Sequence, residues 1–545
     1  MTSHPHTFLV RRVSVVRMFG WICAVAAFVP TAGRALAIEE ASIADLHAAF
    51  REGRLTVRQA VEQHLERIEA YDKQGPLLNS IVNLNPKALA EADRLDAEFA
   101  RTGRLSGSLH GVTVLVKDCI DAAGMPMTGG FQGWKNYVPP TDAPLVARLR
   151  AAGAIILGKA SLSEFTRGGG DNINSVLPGF ARNPYHTAYA TGGSSGGSGN
   201  SIAAGFATVA IGTDTGGSIR MPAAHNALAG LRPTVGLVSR TGIVPNNSIR
   251  DTAGPMTRTV DDLARVMDVI VGLDPADPAT TRAVPHIPAT YTASLDKKAL
   301  VGARLAVLRQ VFRPERTDPR IIDNFEKTIA ELRAAGAVVV DDFRVPELDT
   351  LPRAPQTSAR RKADMIAFLA AHPGIPYPSP REIADSRLAH PLHQAGLEAD
   401  AAAGPVETDK ATLDGLATEE AYRVAFTKAM DAARIDALIF PTWAQLPAIN
   451  GDRNTQITDD PRPAPDAAPT ALGSSLTFVA STMQWPGLSV PNGYAGPGLP
   501  LGLQIVGRAW DDARVIGYAY AYEQATRYRR PPPSTPPLGP VTHPR

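Results

Sequence analysis

The chain has 545 residues, and its 55 Lys and Arg residues almost balance its 53 Asp and Glu residues, for a formal net charge of +2. This balance indicates no basic face for a nucleic acid, so we expect no nucleic-acid partner. Hydrophobic residues make up 44% and charged residues 20% of the chain. This globular composition excludes a disordered chain, a coiled coil, a collagen and a multi-span membrane protein.

The N-terminal segment has the order of a secretory signal. Arg11, Arg12 and Arg17 precede an apolar run at 18–29, and a small-x-small site at 35–37 follows. A run of about twelve residues is short for a membrane span, which needs about 20. We therefore expect a periplasmic or secreted protein, cleaved after Ala37 and without a membrane span after processing. A permanent single-pass anchor is the alternative, and both general and twin-arginine export stay open.

Cysteine and metal-ligand patterns are sparse. The chain has two cysteines, Cys23 and Cys119, and Cys23 lies in the expected signal. A single remaining cysteine forms no intrachain disulfide, so stability must come from the core. No Cys-x-x-Cys and no His-Glu-x-x-His motif occurs, so no zinc site is indicated.

The first predicted elements are helices, and alternating strands and helices follow them. Apolar residues recur every three to four positions over 39–104, which predicts a helical N-terminal region. A continuous β-prone run at 112–116 then predicts a strand covered on both faces. The elements predicted next are a helix at 142–153, a strand at 154–157, a short helix at 202–206, a strand at 209–211 and a helix at 261–272.

The second half of the chain continues the alternation around a long insertion. The elements predicted there are a strand at 304–309, a helical insertion at 350–415, a strand at 436–441, a loop at 452–469, a strand at 501–507 and a helix at 511–526. The proline-rich tail at 531–545 is expected to be disordered or extended. Strands that alternate with helices in this way predict a mixed α/β core.

Glycine and serine concentrate in two clusters, at 191–198 and at 212–220. A flexible linker is one interpretation of the first cluster, although linkers do not lie between core elements. A phosphate loop is another, but no Gly-Lys-Ser/Thr ends the run. A third is a Gly-x-Ser-x-Gly nucleophile elbow that would place Ser195 as nucleophile, although 185–191 is a poor candidate for the strand that an elbow needs.

A pairing of the two clusters accounts for more of the pattern. The helix and strand predicted between them would bring both to one end of the sheet. Glycines let successive N–H groups converge on one point, and a helix predicted to start near Pro222 adds positive potential. This is what an oxyanion hole needs beside a serine nucleophile, Ser218. Lys117, which ends the strand at 112–116, is the candidate base if it is buried and neutral; a snorkelling surface lysine is the alternative.

At this point the sequence resembles the amidase signature family. The match runs from 111 to 272, resumes at 485–526 and is loose over 277–430. The matching motifs are Val116-Lys117-Asp118, the stretch 121–126, the Gly-Gly-Ser-Ser-Gly-Gly-Ser run, Gly-Thr-Asp-Thr-Gly-Gly-Ser-Ile-Arg at 212–220, and 251–256. The resemblance implies an α/β fold with a mixed central β-sheet covered by helices on both faces, and a variable helical insertion.

The resemblance also implies the boundaries and the roles of the site residues. The expected segments are a signal at 1–37, a helical region at 38–105, the signature core at 106–300, a variable substrate-side region at 301–475, a return to the core at 476–530 and the tail at 531–545. The implied roles are Lys117 as base, Ser194 as the bridging serine after a cis peptide bond, Ser218 as nucleophile, Thr215, Gly216 and Gly217 as oxyanion segment, and Asp214, Arg220 and Ser195 as structural support. Cys119 departs from the asparagine that the family often has there.

The function implied is hydrolysis of a carboxylic amide through a Ser–cis-Ser–Lys triad and an acyl-enzyme, with ester cleavage as a side activity. No metal and no organic cofactor is implied, and the expected partner is a small-molecule amide substrate; a homodimer stays open. The alternatives are the glutamine amidotransferase subunit that serves tRNA-dependent amidation, an α/β-hydrolase-type esterase that uses Ser195, and a catalytically inactive binding protein.

Overall fold

The computed structural model describes residues 1–2, 36–167, 177–352, 354, 357–449 and 476–538. The chain divides into two compact units, Met1–Leu36 and Ala37–Arg545, and the fold below is that of the second unit. The expected signal, apart from its two ends, and the loop expected at 452–469 lie outside the described residues. No helix within the described ranges is both long and apolar enough to cross a membrane.

The core is a mixed β-sheet. The described chain has thirteen strands, eleven of which form one sheet. The strands are β1 Ile81–Leu84, β2 Thr113–Lys117, β3 Ile155–Ala160, β4 Arg182–Asn183, β5 His186–Ala190, β6 Val209–Asp214, β7 Ala229–Arg232, β8 Thr252–Thr257, β9 Arg304–Val307, β10 Val338–Val340, β11 Ala437–Pro441, β12 Gly487–Ala495 and β13 Leu499–Val506. β4 and β5 pair with each other as a separate hairpin.

The order of strands in the large sheet is β1-β3-β2-β6-β8-β7-β12-β13-β11-β9-β10. Strands β3, β2 and β6 run parallel to one another, as do β11, β9 and β10, while antiparallel pairs join these two groups and attach β1. Every residue of β2 and of β6 is buried, as expected for strands covered on both faces. The parallel β2 and β6 therefore end side by side in the interior.

Helices flank this sheet. They are α1 Ile43–Arg51, α2 Val57–Ile68, α3 Ala88–Thr102, α4 Pro144–Ala151, α5 Gly196–Ala203, α6 Arg220–His225, α7 Val260–Ile270, α8 Pro319–Ala334, α9 Ser358–Ala370, α10 Pro380–Asp385, α11 Pro391–Ala402, α12 Lys410–Ala433, α13 Phe478–Met483 and α14 Asp512–Thr526. The N-terminal helices begin at sequence-encoded caps: Thr56 and Gln59 bond each other's backbone N–H groups at the start of α2. The predicted α/β class with a mixed, helix-covered sheet is confirmed.

Several elements differ from the sequence-based expectation. The N-terminal helical region also contains β1, and the core contains β7, β8 and β12, for which the sequence analysis predicts no strand. The short helix expected at 202–206 begins earlier, at Gly196. The expected insertion at 350–415 is helical, as α9, α10 and α11.

The described part of the C-terminal tail lies against the body of the protein. Arg67 donates to the carbonyl oxygens of Thr535 at 2.9 Å and Pro536 at 3.1 Å, and Ser534 donates to the carbonyl of Pro184 at 2.7 Å. Two of these contacts use carbonyl oxygens of the tail, and the third uses the Ser534 hydroxyl. Residues 539–545 lie outside the described chain.

Candidate active site

The centre of the site is Lys117, the last residue of β2. Its side chain is fully buried. Nζ lies 2.7 Å from Ser194 Oγ and 2.8 Å from Thr213 Oγ1. Thr213 belongs to β6, the parallel neighbour of β2, so the adjacent strand ends bring these groups together. The snorkelling alternative for Lys117 does not hold, because the amine ends inside the protein.

Burial changes the protonation of this lysine. Desolvation lowers the pKa of Lys117 from its ordinary 10.5 to about 8, although the charges of Asp214 and Asp251 pull it upward. At pH 7, about one lysine in ten is then neutral, against fewer than one in a thousand at the ordinary pKa. The neighbouring Asp118 does not contact the amine, since its carboxylate turns to Thr128 and Lys159. A neutral amine in hydrogen-bond contact with a hydroxyl can accept its proton.

Ser194 and Ser195 have different environments. The peptide bond between Gly193 and Ser194 is cis, and the Ser194 hydroxyl meets the Lys117 amine. The Ser195 hydroxyl is occupied on both sides by β6, because it donates to the Thr213 carbonyl at 3.1 Å and accepts from the Thr213 N–H at 3.2 Å. Ser195 is fully buried. Its contacts fit a supporting residue rather than a nucleophile, and the hairpin strand β5 before it lies outside the main sheet.

Ser218 lies where β6 gives way to α6. Its backbone is adjacent to the first serine cluster, because the Ser195 N–H donates to the Ser218 carbonyl at 3.2 Å. Its side chain is only partly buried. Within the described chain the Ser218 hydroxyl makes no hydrogen bond, so no direct bond joins it to Ser194 in this structure. Ser218 therefore lies beside the first serine cluster as a partly exposed residue, and its hydroxyl has no hydrogen-bond partner among the described residues.

The segment between β6 and Ser218 supplies unoccupied backbone donors. The N–H groups of Thr215, Gly216 and Ser218 have no hydrogen-bond acceptor among the described residues. The N–H of Gly217 differs, since it donates to Asp214 Oδ1 at 2.8 Å. Gly217 thus belongs to the predicted oxyanion segment, but its own N–H is engaged by the carboxylate at the end of β6.

Close packing explains why a glycine directly precedes Ser218. A Cβ atom on Gly217 would lie 2.0 Å from Thr477 Oγ1, and the residue has a φ of +130°. Thr477 in turn donates to the Gly216 carbonyl at 2.6 Å. Glycine is the residue that this backbone conformation and this contact allow.

Asp214, the last residue of β6, contacts the segment 215–219 through its carboxylate. Its carboxylate accepts from the backbone N–H groups of Gly217 and Ile219 and from both Arg220 and Arg232. Burial alone would raise the pKa of Asp214, but the two guanidinium groups and these hydrogen bonds outweigh it and hold that pKa well below the ordinary value. Arg220 continues to the Thr477 carbonyl at 2.7 Å and Gln504 Oε1 at 2.8 Å. Asp214 and Arg220 therefore link the loop 215–219 to the residues around Thr477 and Gln504.

Sequence reasoning missed three further participants. Thr213 contacts the lysine, Arg232 pairs with Asp214, and Thr477 bonds the glycine pair. Thr213 stands inside one of the matching motifs, so its position next to Asp214 is the available signal. Arg232 and Thr477 lie outside the glycine-rich clusters. Arg232 ends strand β7 of the sheet, and Thr477 directly precedes α13, so tertiary structure brings both to the site. No group of three or more metal-ligating side chains occurs among the residues described here.

Comparison with known proteins gives relatives that match most of this chain. The Amidase family model matches residues 59–516. A probable amidase of Arabidopsis thaliana is 32% identical over 522 residues, which cover 91% of this chain and 92% of the relative. A glutamyl-tRNA(Gln) amidotransferase subunit from Synechococcus sp. (strain CC9605) is 32% identical over 493 residues, covering 88% and 95%.

Solved structures agree with the sequence relatives. The native peptide amidase of Stenotrophomonas maltophilia superposes with a TM-score of 0.78 at 36% identity, covering 90% of this chain and 98% of the other. An amidase family protein of Bacillus anthracis str. Ames superposes with a TM-score of 0.77 at 29% identity, covering 90% and 92%. These likenesses define an amide-hydrolysing enzyme. The chain belongs to the amidase signature family.

Proposed function

We propose that the chain cleaves a carboxylic amide through an acyl-enzyme on Ser218, with Ser194 and Lys117 as the proton relay. The observation that supports this most is the contact of the buried Lys117 amine with Ser194 Oγ at 2.7 Å. A serine hydroxyl is a weak nucleophile and needs such a base. The family assignment supports the reaction class, and the geometry supports the choice of residues.

The proposed reaction proceeds in two halves. Neutral Lys117 takes the Ser194 proton while Ser194 takes the proton of Ser218, whose Oγ attacks the amide carbonyl. The Ser194–Ser218 hydrogen bond forms in the substrate complex, where catalytic contacts tighten. The developing oxyanion accepts from the N–H groups of Thr215, Gly216 and Ser218. The relay then protonates the leaving nitrogen, and water attacks the acyl-enzyme by the same path to release the acid.

Ser218→Ala tests the nucleophile against its neighbour. We expect Ser218→Ala to abolish amide turnover, while the matched variant Ser195→Ala folds less stably but keeps a measurable rate. A fluorophosphonate probe should label the peptide that contains Ser218. A label on Ser195 would instead support the esterase of the nucleophile-elbow type and contradict this proposal.

The substrate class follows from the relatives and is part of the proposal. Peptide amides come first, because a peptide amidase is among the most similar solved structures at 36% identity. A panel of peptide, aliphatic and aryl amides, with matched esters, tests this. Esters should be cleaved too, since an ester carbonyl is more electrophilic and an alkoxide leaves more readily than an unprotonated amide nitrogen. The second candidate is glutamine hydrolysis for tRNA-dependent amidation, which the 32% identical amidotransferase subunit favours. Ammonia release from glutamine by the isolated chain would support it.

We also propose that the enzyme works outside the cytoplasm, on the basis of the basic, apolar and small-x-small order at 11–37. N-terminal sequencing of protein from its native host should then begin near Ile38. A cytosolic chain that keeps Arg11 and Arg12 would contradict export.

A further inference from the structure

Asp251 lies directly against the oxyanion segment, and the mechanism does not use it. Its Oδ1 accepts a hydrogen bond from Thr215 Oγ1 at 2.5 Å. Its Oδ2 accepts from the backbone N–H groups of Asn246 at 2.9 Å and Asn247 at 2.8 Å. The Asp251 carboxylate thus bonds two backbone N–H groups of its own loop, 246–251, and also the side chain of Thr215, which follows β6. Both of its oxygens are fully engaged with named donors.

Two helices of the variable region, 301–475, also contact the loop 246–251. Asp364 of α9 accepts from the N–H of Ser248 at 2.8 Å and from its hydroxyl at 2.7 Å. Glu419 of α12 pairs with Arg250 at 2.6 Å, and the two side chains are 5% and 0% exposed. A buried ion pair of this kind has little solvent screening and defined geometry. The loop is therefore anchored to two helices of the variable region, at positions two residues apart.

The loop 246–251 also contacts Asp214, which precedes the oxyanion segment, through Arg232. The Arg250 carbonyl accepts from Arg232 Nη2 at 2.6 Å. Arg232 Nη1 donates to Asp214 Oδ1 at 3.0 Å, and Asp214 holds the N–H of Gly217. Loop 246–251 consequently braces the oxyanion segment twice, at Thr215 through Asp251 and at Asp214 through Arg232.

We propose that Asp251 is a positioning residue for amide hydrolysis. It fixes Thr215, and with it the backbone donors of the oxyanion segment, while Asp364 and Glu419 of the variable region fix the loop that carries Asp251. The variable region thereby sets the catalytic geometry through Thr215 in addition to any contact with substrate. This inference rests on the proposed oxyanion role of 215–218. It assigns the variable region a role in kcat, since donors that meet charge only in the transition state act on that parameter.

Asp251→Asn and Thr215→Val test the first link at a nearly constant volume. Valine lacks the hydroxyl, and asparagine has only one acceptor oxygen for the donors that the two carboxylate oxygens bind. We expect either variant to lower kcat about 10- to 100-fold, somewhat less than the loss of an oxyanion donor, with KM changed less than about twofold. The double variant should be no slower than the slower single variant, because both changes break one unit. Thr215→Ser should lose less than Thr215→Val. The matched control is Asp268→Asn, which breaks a similar bond from Thr290 to an exposed carboxylate and should leave both parameters unchanged.

Glu419→Gln tests the second link, from the variable region. It should lower kcat with KM nearly constant in the wild-type background, and have no further effect on kcat in the Thr215→Val background. The proposal would be overturned if Glu419→Gln lowered kcat equally in both backgrounds or changed KM alone. It would also be overturned if the effects of Asp251→Asn and Thr215→Val on kcat multiplied in the double variant. If Asp251→Asn does not fold, the Thr215→Val and Glu419→Gln pair gives the same test. Failure of the proposed function would show separately, as turnover retained by Ser218→Ala.

Discussion

Lys117→Met separates the proposed catalytic role of the lysine from its cost to the stability of the fold. Methionine has a similar length, carries no charge and fits a buried site. The lysine amine is buried beside Ser194 and Thr213, so the substitution removes a group that the folded protein prefers to hold uncharged. We expect the variant to be inactive on amides, yet more stable relative to the wild type at pH 7 than at pH 10.

The magnitude follows from the pKa of Lys117, which burial lowers from 10.5 to about 8. Each pKa unit corresponds to about 1.36 kcal/mol, so burial of this lysine costs the wild type roughly 3 kcal/mol at any pH below 8. Because the folded pKa is the lower one, this cost shrinks as pH rises from 8 to 10.5 and vanishes above it. The lost hydrogen bonds to Ser194 and Thr213 subtract about 1 kcal/mol each from the gain, but that loss does not vary with pH over this range.

Urea unfolding of both proteins at several pH values from 7 to 10 measures the difference. The free energy of unfolding of Lys117→Met relative to wild type should fall by about 2 to 3 kcal/mol over that interval. Thr213→Val, which removes a hydroxyl but keeps the lysine, is the control and should show no such trend. A difference that stays constant with pH would mean that Lys117 titrates normally in the folded enzyme. The neutral-base mechanism would then be wrong.

Two further predictions concern the same strand end. The kcat/KM for amides should rise with pH and level off above about pH 8, because burial lowers the pKa of Lys117 to about 8 and only the neutral amine accepts a proton. Lys117→Arg should be inactive at every pH, since a guanidinium stays protonated. Near-normal turnover by this variant would refute the relay. Cys119→Ala should keep most activity, because burial raises the pKa of the Cys119 thiol and its Sγ is 3.8 Å from Thr213 Oγ1; a rate loss equal to that of Ser218→Ala would make the thiol the nucleophile.

The sequence predicts the fold best where strands are apolar throughout. The runs at 112–116, 209–211 and 436–441 correspond to β2, β6 and β11, because a strand buried on both faces needs apolar or small residues at every position. Strand β8 contains Gly254 and Pro255, both poor strand formers, so local propensity predicts no strand there. The structure explains the glycine: a Cβ atom on Gly254 would lie 2.1 Å from the carbonyl oxygen of Leu231 in β7. Sheet packing, which local propensity does not include, requires it.

Helix α5 shows the same limit for helices. Glycine is among the poorest helix formers, so the predicted helix begins at 202, after the glycines. The actual helix starts at Gly196. A Cβ atom on Gly197 would lie 2.4 Å from the backbone nitrogen of Ser161, so only glycine lets the helix approach the segment after β3 this closely. Tertiary packing therefore overrides propensity at the element that follows the first serine cluster.

The site residues with recognisable chemistry could be predicted, but the groups that make them work together could not. Lys117 has two carboxylates in range, Asp214 and Asp251, and each favours its charged form. Both are already occupied, Asp214 by two arginines and Asp251 by Thr215 and two backbone N–H groups.

The effect of burial on the pKa of Lys117 consequently outweighs the effect of these charges. Part of the lysine is then neutral near pH 7 and able to accept a proton. Arg232 of β7 pairs with the Asp214 carboxylate, and two N–H groups of the loop 246–251 bind the Asp251 carboxylate. The variable region contacts that loop through Asp364 and Glu419. A motif search finds the lysine and the serines because their residue types indicate the chemistry. The neighbours that set its protonation come from strands and loops distant in sequence, so only the folded chain explains the lowered pKa of this lysine.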